Sequence, residues 1–485
     1  MILTVLLACP LAGIFAILAM PKRSVRMIRA TALLSTGATL LLALRVLSAF
    51  QPQAVAIQME ERIPWIPQLH IAYHLGVDGV SLPMILLTSL LGFLACLASA
   101  SIAERHQEYY ALYLLLEVGM LGTFLALDLF LFYVFWEVVL VPMYFLIGIW
   151  GGGRREYSAF KFFIYTLAGS LAMLLGILAL FLRTGSFDMV ALAQVGRTLD
   201  VGFQRLIFTA FFIGFAIKVP IFPFHTWLPD AHVDAPTPIS VLLAGVLLKM
   251  GGYGFFRISY PIAPAGAAWF AGAMAVLGMV NIIYGAFVAM AQTDFKRLVA
   301  YSSVSHMGFV LLGLSSLTSA GMNGAMLQMF NHGVITGGMF LLVGVLYDRA
   351  HTRQLDAFGG LGVRMPVYAA LLTFFSLASL GLPGLSGFVS EFLSLLGAFG
   401  VWRWQTMISS VGIVIAAAYM LKVIQQVLLG PLNEAWKALP DITLRELISL
   451  APLVALVLAL GVCPLLVLNI QDGALRQLIA HVTGQ

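Results

Sequence analysis

Glu137, Lys218, Lys249 and Glu391 each stand inside a long apolar run of the sequence, and Glu117, His306, His332 and Lys422 occupy comparable settings. An ionisable side chain at bilayer depth costs about 2.5–3.5 kcal/mol on insertion scales, so such residues point to function by default. The chemistry open to an acid–lysine–lysine–acid set is proton transfer. Desolvation favours a neutral lysine and a protonated carboxylic acid, and a nearby opposite charge pushes both back toward their charged forms. A lysine whose carboxylate partner moves or takes up a proton therefore loses its own proton near neutral pH. Across adjacent helices, such a set relays protons laterally through internal water. Ser302, Ser303, Ser305 and Thr336 offer small polar groups to hold that water. Histidines, with an unperturbed pKa of about 6.5, suit the intermediate steps.

Plainer readings stand beside this one. A single intramembrane histidine such as His332 also serves as an interhelical hydrogen-bond partner. Lys422 can extend its charged end to an interface, and Arg45, near the outer end of the second apolar run, reads as structural. Glu137 and Lys218 can form a structural ion pair. Lysines and glutamates recurring at mid-depth in four helices are harder to explain as glue.

The elements that position these residues are membrane helices. The 485-residue chain is 61% apolar and 10% charged, where a soluble domain has about 45–50% and about 25%. Its mean hydropathy is +0.99, which excludes a soluble enzyme. The apolar runs are continuous, which excludes a porin-like barrel with its alternating strands. The fold class is an all-α polytopic membrane protein. Runs at 1–20, 30–50, 80–103, 109–127, 129–150, 159–182, 206–224, 237–258, 264–290, 298–318, 322–347, 366–400, 405–429 and 446–470 predict about 14 transmembrane helices, at roughly 20 residues per crossing. Pro21-Lys22-Arg23 follows the first run and no basic residue precedes it, the reverse of a signal peptide, so that run reads as an uncleaved helix. Basic residues concentrate in alternate connections, among them Lys22 to Arg29, Arg154, Arg155, Lys296 and Arg297. The positive-inside rule then places those connections in the cytoplasm and both termini outside. This explains the net charge of +5 without nucleic acid.

Two spans read as broken. Pro220 and Pro223 follow Lys218 in the seventh, and Leu380-Gly381-Leu382-Pro383-Gly384-Leu385-Ser386-Gly387 precedes Glu391 in the twelfth. Irregular backbone at membrane depth is tolerated where it lines a polar cavity. The breaks take the fourth place in two successive five-helix blocks, and an odd number of helices turns the second block over. The expectation is two inverted five-helix repeats with broken helices 7 and 12. The chain divides accordingly into 1–108, a three-helix segment with an outside loop, 109–260 and 261–430, the two repeats, and 431–485, a last helix.

The connections carry less chemistry. Residues 51–79 read as a small β-hairpin, and 186–203 as a segment lying along the interface. Cys9, Cys96 and Cys463 lie singly in apolar runs and read as buried, inert thiols. His225, Asp230, His232 and Asp234 look like metal ligands, but Pro229 and Pro236 interrupt any shared helical face, and a polar loop at an inner mouth is the expectation. No P-loop, dinucleotide fingerprint, haem or iron–sulfur pattern stands out, so no cofactor and no metal are expected on this chain.

The stretch Phe215-Ala-Ile-Lys218-Val-Pro-Ile-Phe-Pro-Phe-His225-Thr-Trp-Leu-Pro-Asp-Ala-His232, with Ala235-Pro236-Thr237 and Leu247-Leu248-Lys249-Met250-Gly251-Gly252-Tyr253, resembles the antiporter-like subunits of respiratory complex I, NADH:quinone oxidoreductase. Tyr73 to Gly79 and Phe135-Trp136-Glu137 through Pro142-Met143-Tyr144 resemble them too. Among those subunits the chain is most similar to the M (chain 4) type. The L type carries a long lateral C-terminal helix, and the N type has lysine where Glu391 stands. The resemblance implies proton translocation driven by electron transfer elsewhere, with Glu137 and Lys218 as a coupled pair, Lys249 as central relay, Glu391 as terminal residue, and His306 and His332 as relay histidines. It implies a hetero-oligomer in a bacterial inner membrane, with antiporter-like L and N type neighbours and small membrane subunits as partners. NADH, FMN, iron–sulfur clusters and quinone belong to partner subunits on this reading. Subunits of multisubunit sodium/proton (Mrp-type) antiporters share the Lys218 and Lys249 motifs and are the alternative. A scaffold bundle without conduction is a third.

Overall fold

Continuous apolar sequence satisfies its backbone hydrogen bonds most simply within a helix, and the computed structural model, which describes residues 1–54 and 56–484, is a helical bundle. Among the described residues, twelve helices are long and apolar enough to cross a membrane. The helix His106–Leu125 is as long but carries Glu108 and Glu117. The twelfth expected span is split into the shorter helices Pro366–Ser379 and Ser386–Phe399. Between them Gly381 and Gly384 take φ of +82° and +93°, backbone that glycine adopts without strain.

The centre of the bundle is formed by Thr237–Ile262, Phe295–Ser315 and Ser319–Ala350, which are buried almost throughout. Outer helices such as Ile2–Ala19, Arg155–Thr184 and Leu444–Val462 bury a minority of their surface and leave large apolar side chains such as Phe15, Leu182 and Val462 exposed. That distribution suits a hydrocarbon surround, where apolar side chains lose nothing by facing outward.

The expected hairpin is present. Strands Gln58–Ile66 and Ile71–Val77 pair antiparallel, with Ile63 opposite Tyr73. Residues 186–203 contain the short helix Met189–Gly196, capped by Asp188, and Asp200 caps Val201–Lys218.

Three expectations need correction. The run 446–470 is not one span: Leu444–Val462 ends at Cys463, and a further helix, Leu465–Thr483, starts behind Pro464. Proline has no N–H to continue the first helix, yet fits the start of the second. Cys463 is consequently exposed at the corner, whereas Cys96 is buried and Cys9 partly so. The polar loop expected around Asp230 is the helix Trp227–Asp234.

Candidate functional site

Each central charge sits beside an irregularity of its helix. Glu137 is the last residue but one of the helix Leu129–Val138, and Leu140–Trp150 continues after Val139. The cause is Pro142, which cannot donate to the Val138 carbonyl. Lys218 is the last residue of Val201–Lys218, before the segment carrying Pro220 and Pro223. Lys249 lies between two π-helical turns, Leu243–Leu247 and Phe255–Ser259. Such turns recur at functional sites, and here the Lys249 ammonium donates to the Ala244 carbonyl within the first of them. Glu391 stands in the second turn of Ser386–Phe399, just after the Gly381–Gly387 break.

The structure joins four of the expected residues in one line. Lys249 Nζ lies 2.6 Å from His332 Nδ1. The His332 ring is 5.7 Å, centroid to centroid, from that of His306. His306 Nδ1 lies 2.7 Å from Glu391 Oε1, and its Nε2 lies 3.2 Å from Ser379 Oγ. All four side chains are buried. A small cavity beside them is lined by His306, His332, Thr336, Ser379 and Glu391, polar groups of the kind that hold an internal water.

Glu137 and Lys218 are arranged differently. The Lys218 ammonium is within electrostatic range of Glu137, but makes no direct ion pair among the described residues. It stands 5.0 Å from the centre of the Trp136 ring and 5.8 Å from that of Phe162, a cation–π seat. One Glu137 oxygen and the Lys218 nitrogen have no hydrogen-bond partner among the described residues. The helices of Lys218 and Lys249 approach closely at Gly251, where a Cβ would meet Phe215 O and Val219 Cγ2 at 2.8 Å. No hydrogen bond joins the two lysines among the described residues.

The remaining candidates separate. Glu117 packs against Gly92, with both oxygens unpartnered among the described residues. Lys422 donates to the Met290 and Gln292 carbonyls at the end of Pro264–Met290, in line with its end-seeking reading. Arg45 donates to Ser48 one turn on. Ser302, Ser303 and Ser305 turn to backbone carbonyls rather than to the cavity, as helical serines do when a carbonyl lies within reach. His225 meets Tyr284, Asp230 meets Lys161, His232 stacks on Phe340 and Asp234 accepts from Ser158, so the metal-like group points four ways.

Sequence reasoning missed the groups that orient Glu391. Gln328 Nε2 donates to Glu391 Oε1 at 3.2 Å, and its own carbonyl accepts from Ser390. Asn331 donates to the Ser386 carbonyl at the edge of the break. Gln328 and Asn331 lie on the same helix as His332, and a polar residue one turn from a candidate is the signal that was available. The Trp136 ring was missed because an aromatic in a membrane run reads as apolar filling.

Comparisons with known proteins show the family of the chain. Residues 126–465 match the family model described as NADH:quinone oxidoreductase/Mrp antiporter, transmembrane. The chain is 46% identical to NADH-quinone oxidoreductase subunit M of Rhodobacter capsulatus, over 93% of this chain and 90% of that one. It is 41% identical to NAD(P)H-quinone oxidoreductase chain 4 2 of Thermosynechococcus vestitus, over 99% and 92%. A chain of respiratory complex I from Thermus thermophilus superposes with a TM-score of 0.89 at 34% identity, covering 99% of this chain and 100% of that one. A chain of the Mrp complex from Dietzia gives 0.87 at 22% identity, covering 99% and 98%, a likeness of fold. The chain belongs to the NADH:quinone oxidoreductase/Mrp antiporter transmembrane family, in its subunit M branch.

Proposed function

We propose that this chain carries protons across the membrane as one subunit of an NADH-quinone oxidoreductase, driven by electron transfer in other subunits. The observation that carries the reading is the buried sequence Lys249–His332–His306–Glu391, in which every member can hold or release a proton. Lys249 donates to His332 Nδ1 when the ring is neutral there. One proton lies between His306 Nδ1 and Glu391 Oε1 in either distribution of charge. Gln328 also donates to that oxygen, and since an amide does not relay protons, it orients the carboxylate. Lys218 on its aromatic seat, with Glu137 in range, is the feeding end. Changing the charge on Glu137 alters the ammonium's preference for staying protonated, and with it the supply to Lys249.

On this reading the chain is a translocase subunit without redox chemistry of its own, and NADH, FMN, iron–sulfur clusters and quinone belong to its partners. Those partners are L and N type neighbours and small membrane subunits. The complex lies in a bacterial cytoplasmic membrane with the termini of this chain outside.

The test is Lys218→Ala and Glu137→Ala in the assembled complex, with NADH-driven proton uptake measured in inverted vesicles. Pumping falls while assembly persists, and normal pumping contradicts the proposal. Co-purification in mild detergent separates the alternative. Peripheral flavin and iron–sulfur subunits accompany an oxidoreductase subunit, while small membrane partners alone accompany a sodium/proton antiporter.

A further inference from the structure

The segment that follows Lys218 is held by a helix from the far side of the sequence. Pro220 and Pro223 leave this stretch without regular helical bonding, and orphaned backbone groups at membrane depth need partners. Asn281, in the helix Pro264–Met290 and fully buried, supplies two. The Phe222 N–H donates to Asn281 Oδ1 at 2.8 Å, and Asn281 Nδ2 donates to the Pro220 carbonyl at 3.2 Å. Nearly one turn on, Tyr284 meets the Phe222 ring edge-on and lies 3.2 Å from His225 Nε2.

The same helix is packed backbone to backbone on the helix of His306. A Cβ on Gly285 would meet Ser305 N at 2.6 Å, and one on Gly308 would meet Gly278 O at 2.7 Å. Ser305 Oγ donates to the Ile282 carbonyl. Gly278 and Gly285 lie about one turn to either side of Asn281, and residues 305 and 308 bracket His306. A rigid path thus runs from His306 through Pro264–Met290 and Asn281 to the backbone beside Lys218. Lys218 Nζ has no hydrogen bond of its own among the described residues, so its position follows that backbone and the two aromatic rings.

We propose that Asn281 is a positioning residue that clasps the broken backbone after Lys218 to Pro264–Met290, the helix packed on that of His306, coupling the placement of Lys218 to the state of the His306–Glu391 end. This rests on the proton-relay reading above. The residue type suits the role. A side-chain amide presents one acceptor and a donor in one plane, matching a peptide's N–H and C=O. Leucine offers neither, and aspartate offers the donor only when protonated.

The experiment measures NADH-driven proton pumping of the assembled complex in vesicles for Asn281→Leu and Asn281→Asp, each relative to the unmodified complex at the same pH. Asn281→Leu is expected to lower pumping about tenfold, the size of loss that displacement of a remote support produces. Asn281→Asp is expected to pump nearly normally at acidic pH and fall toward the leucine level as pH rises, because only the protonated carboxyl donates to Pro220. Normal pumping by Asn281→Leu, or an Asn281→Asp profile parallel to the unmodified complex, overturns the proposal. If Asn281→Leu does not assemble, the aspartate profile decides alone. Lys218→Ala in the same vesicles separates the two levels: if it too pumps normally, the relay reading has failed, and if it alone stops pumping, only the clasp has.

Discussion

Lys249 Nζ and His332 Nδ1 lie 2.6 Å apart at the centre of the bundle, and both side chains are buried. A lysine donating to a neutral imidazole is a proton transfer held at its starting point. The other His332 nitrogen has no partner among the described residues, and in the proposed relay it is the one that passes a proton on toward His306.

His332→Gln is therefore expected to keep a hydrogen bond to Lys249 while ending transfer, since an amide does not relay protons. Pumping should fall by about a hundredfold, the lower range for loss of a positioned acid–base group, with the complex assembled. Pumping within a factor of about two of normal would show that protons bypass the ring.

The seat of Lys218 makes a separate prediction. Trp136→Leu removes a cation–π contact worth about 2 kcal/mol when desolvated, and should impair pumping, whereas Trp136→Phe should retain most of it. Equal effects of the two changes would assign the loss to packing rather than to the ring face.

Asp78 accepts from Arg257 at 2.5 Å and from the N–H groups of Val80 and Ser81 at the start of Ser81–Ala98. Arg257 also donates to Tyr253. Asp78→Ala leaves a part-buried guanidinium unpaired, at a cost of up to about 3 kcal/mol. Thermal unfolding of the purified complex should show this loss, and Asp78→Ala with Arg257→Leu should recover part of it. No recovery in the double variant would contradict the pairing.

The outer hairpin carries a pH dependence. Burial opposes the charge on Asp188, but His74, the Ala191 N–H and the charge of Arg62 outweigh it and hold the carboxyl at about 2. Burial also disfavours the His74 cation, yet Asp188 and Glu60 outweigh that and raise its pKa above the ordinary value. The Asp188 contribution is present above about pH 4 and lost as pH falls toward 2, and the His74 contribution is complete below about pH 6.5 and lost as pH rises through its raised pKa. Hydrogen exchange in Ile71–Val77, corrected for intrinsic rates, should show firmest protection between those limits and loosening at alkaline pH. Protection independent of pH, or alkaline loosening that survives His74→Phe, would contradict it.

Much of this was legible in the sequence. The breaks near Pro220 and Gly381 were readable because proline and glycine act locally, and the central charges because apolar surroundings make them conspicuous. The π-helical turns around Lys249 were not readable, since they arise from packing and no residue type announces them. The helix Trp227–Asp234 was hidden by Pro229, which reads as a breaker but fits a first helical turn. Leu465–Thr483 was hidden by Asp472 and Arg476, which read as past the membrane. Gln328 and Asn281 act on partners 63 and 59 residues away, a separation that local pattern cannot bridge.

In the proposed relay, protons leave through Lys249, His332, His306 and Glu391 in turn. Its most direct test is the number of protons moved per NADH oxidised by the purified complex in sealed liposomes, with Glu391→Gln in this chain. A lower ratio is expected, in a complex that still assembles and binds NADH. An unchanged ratio at normal turnover would contradict it.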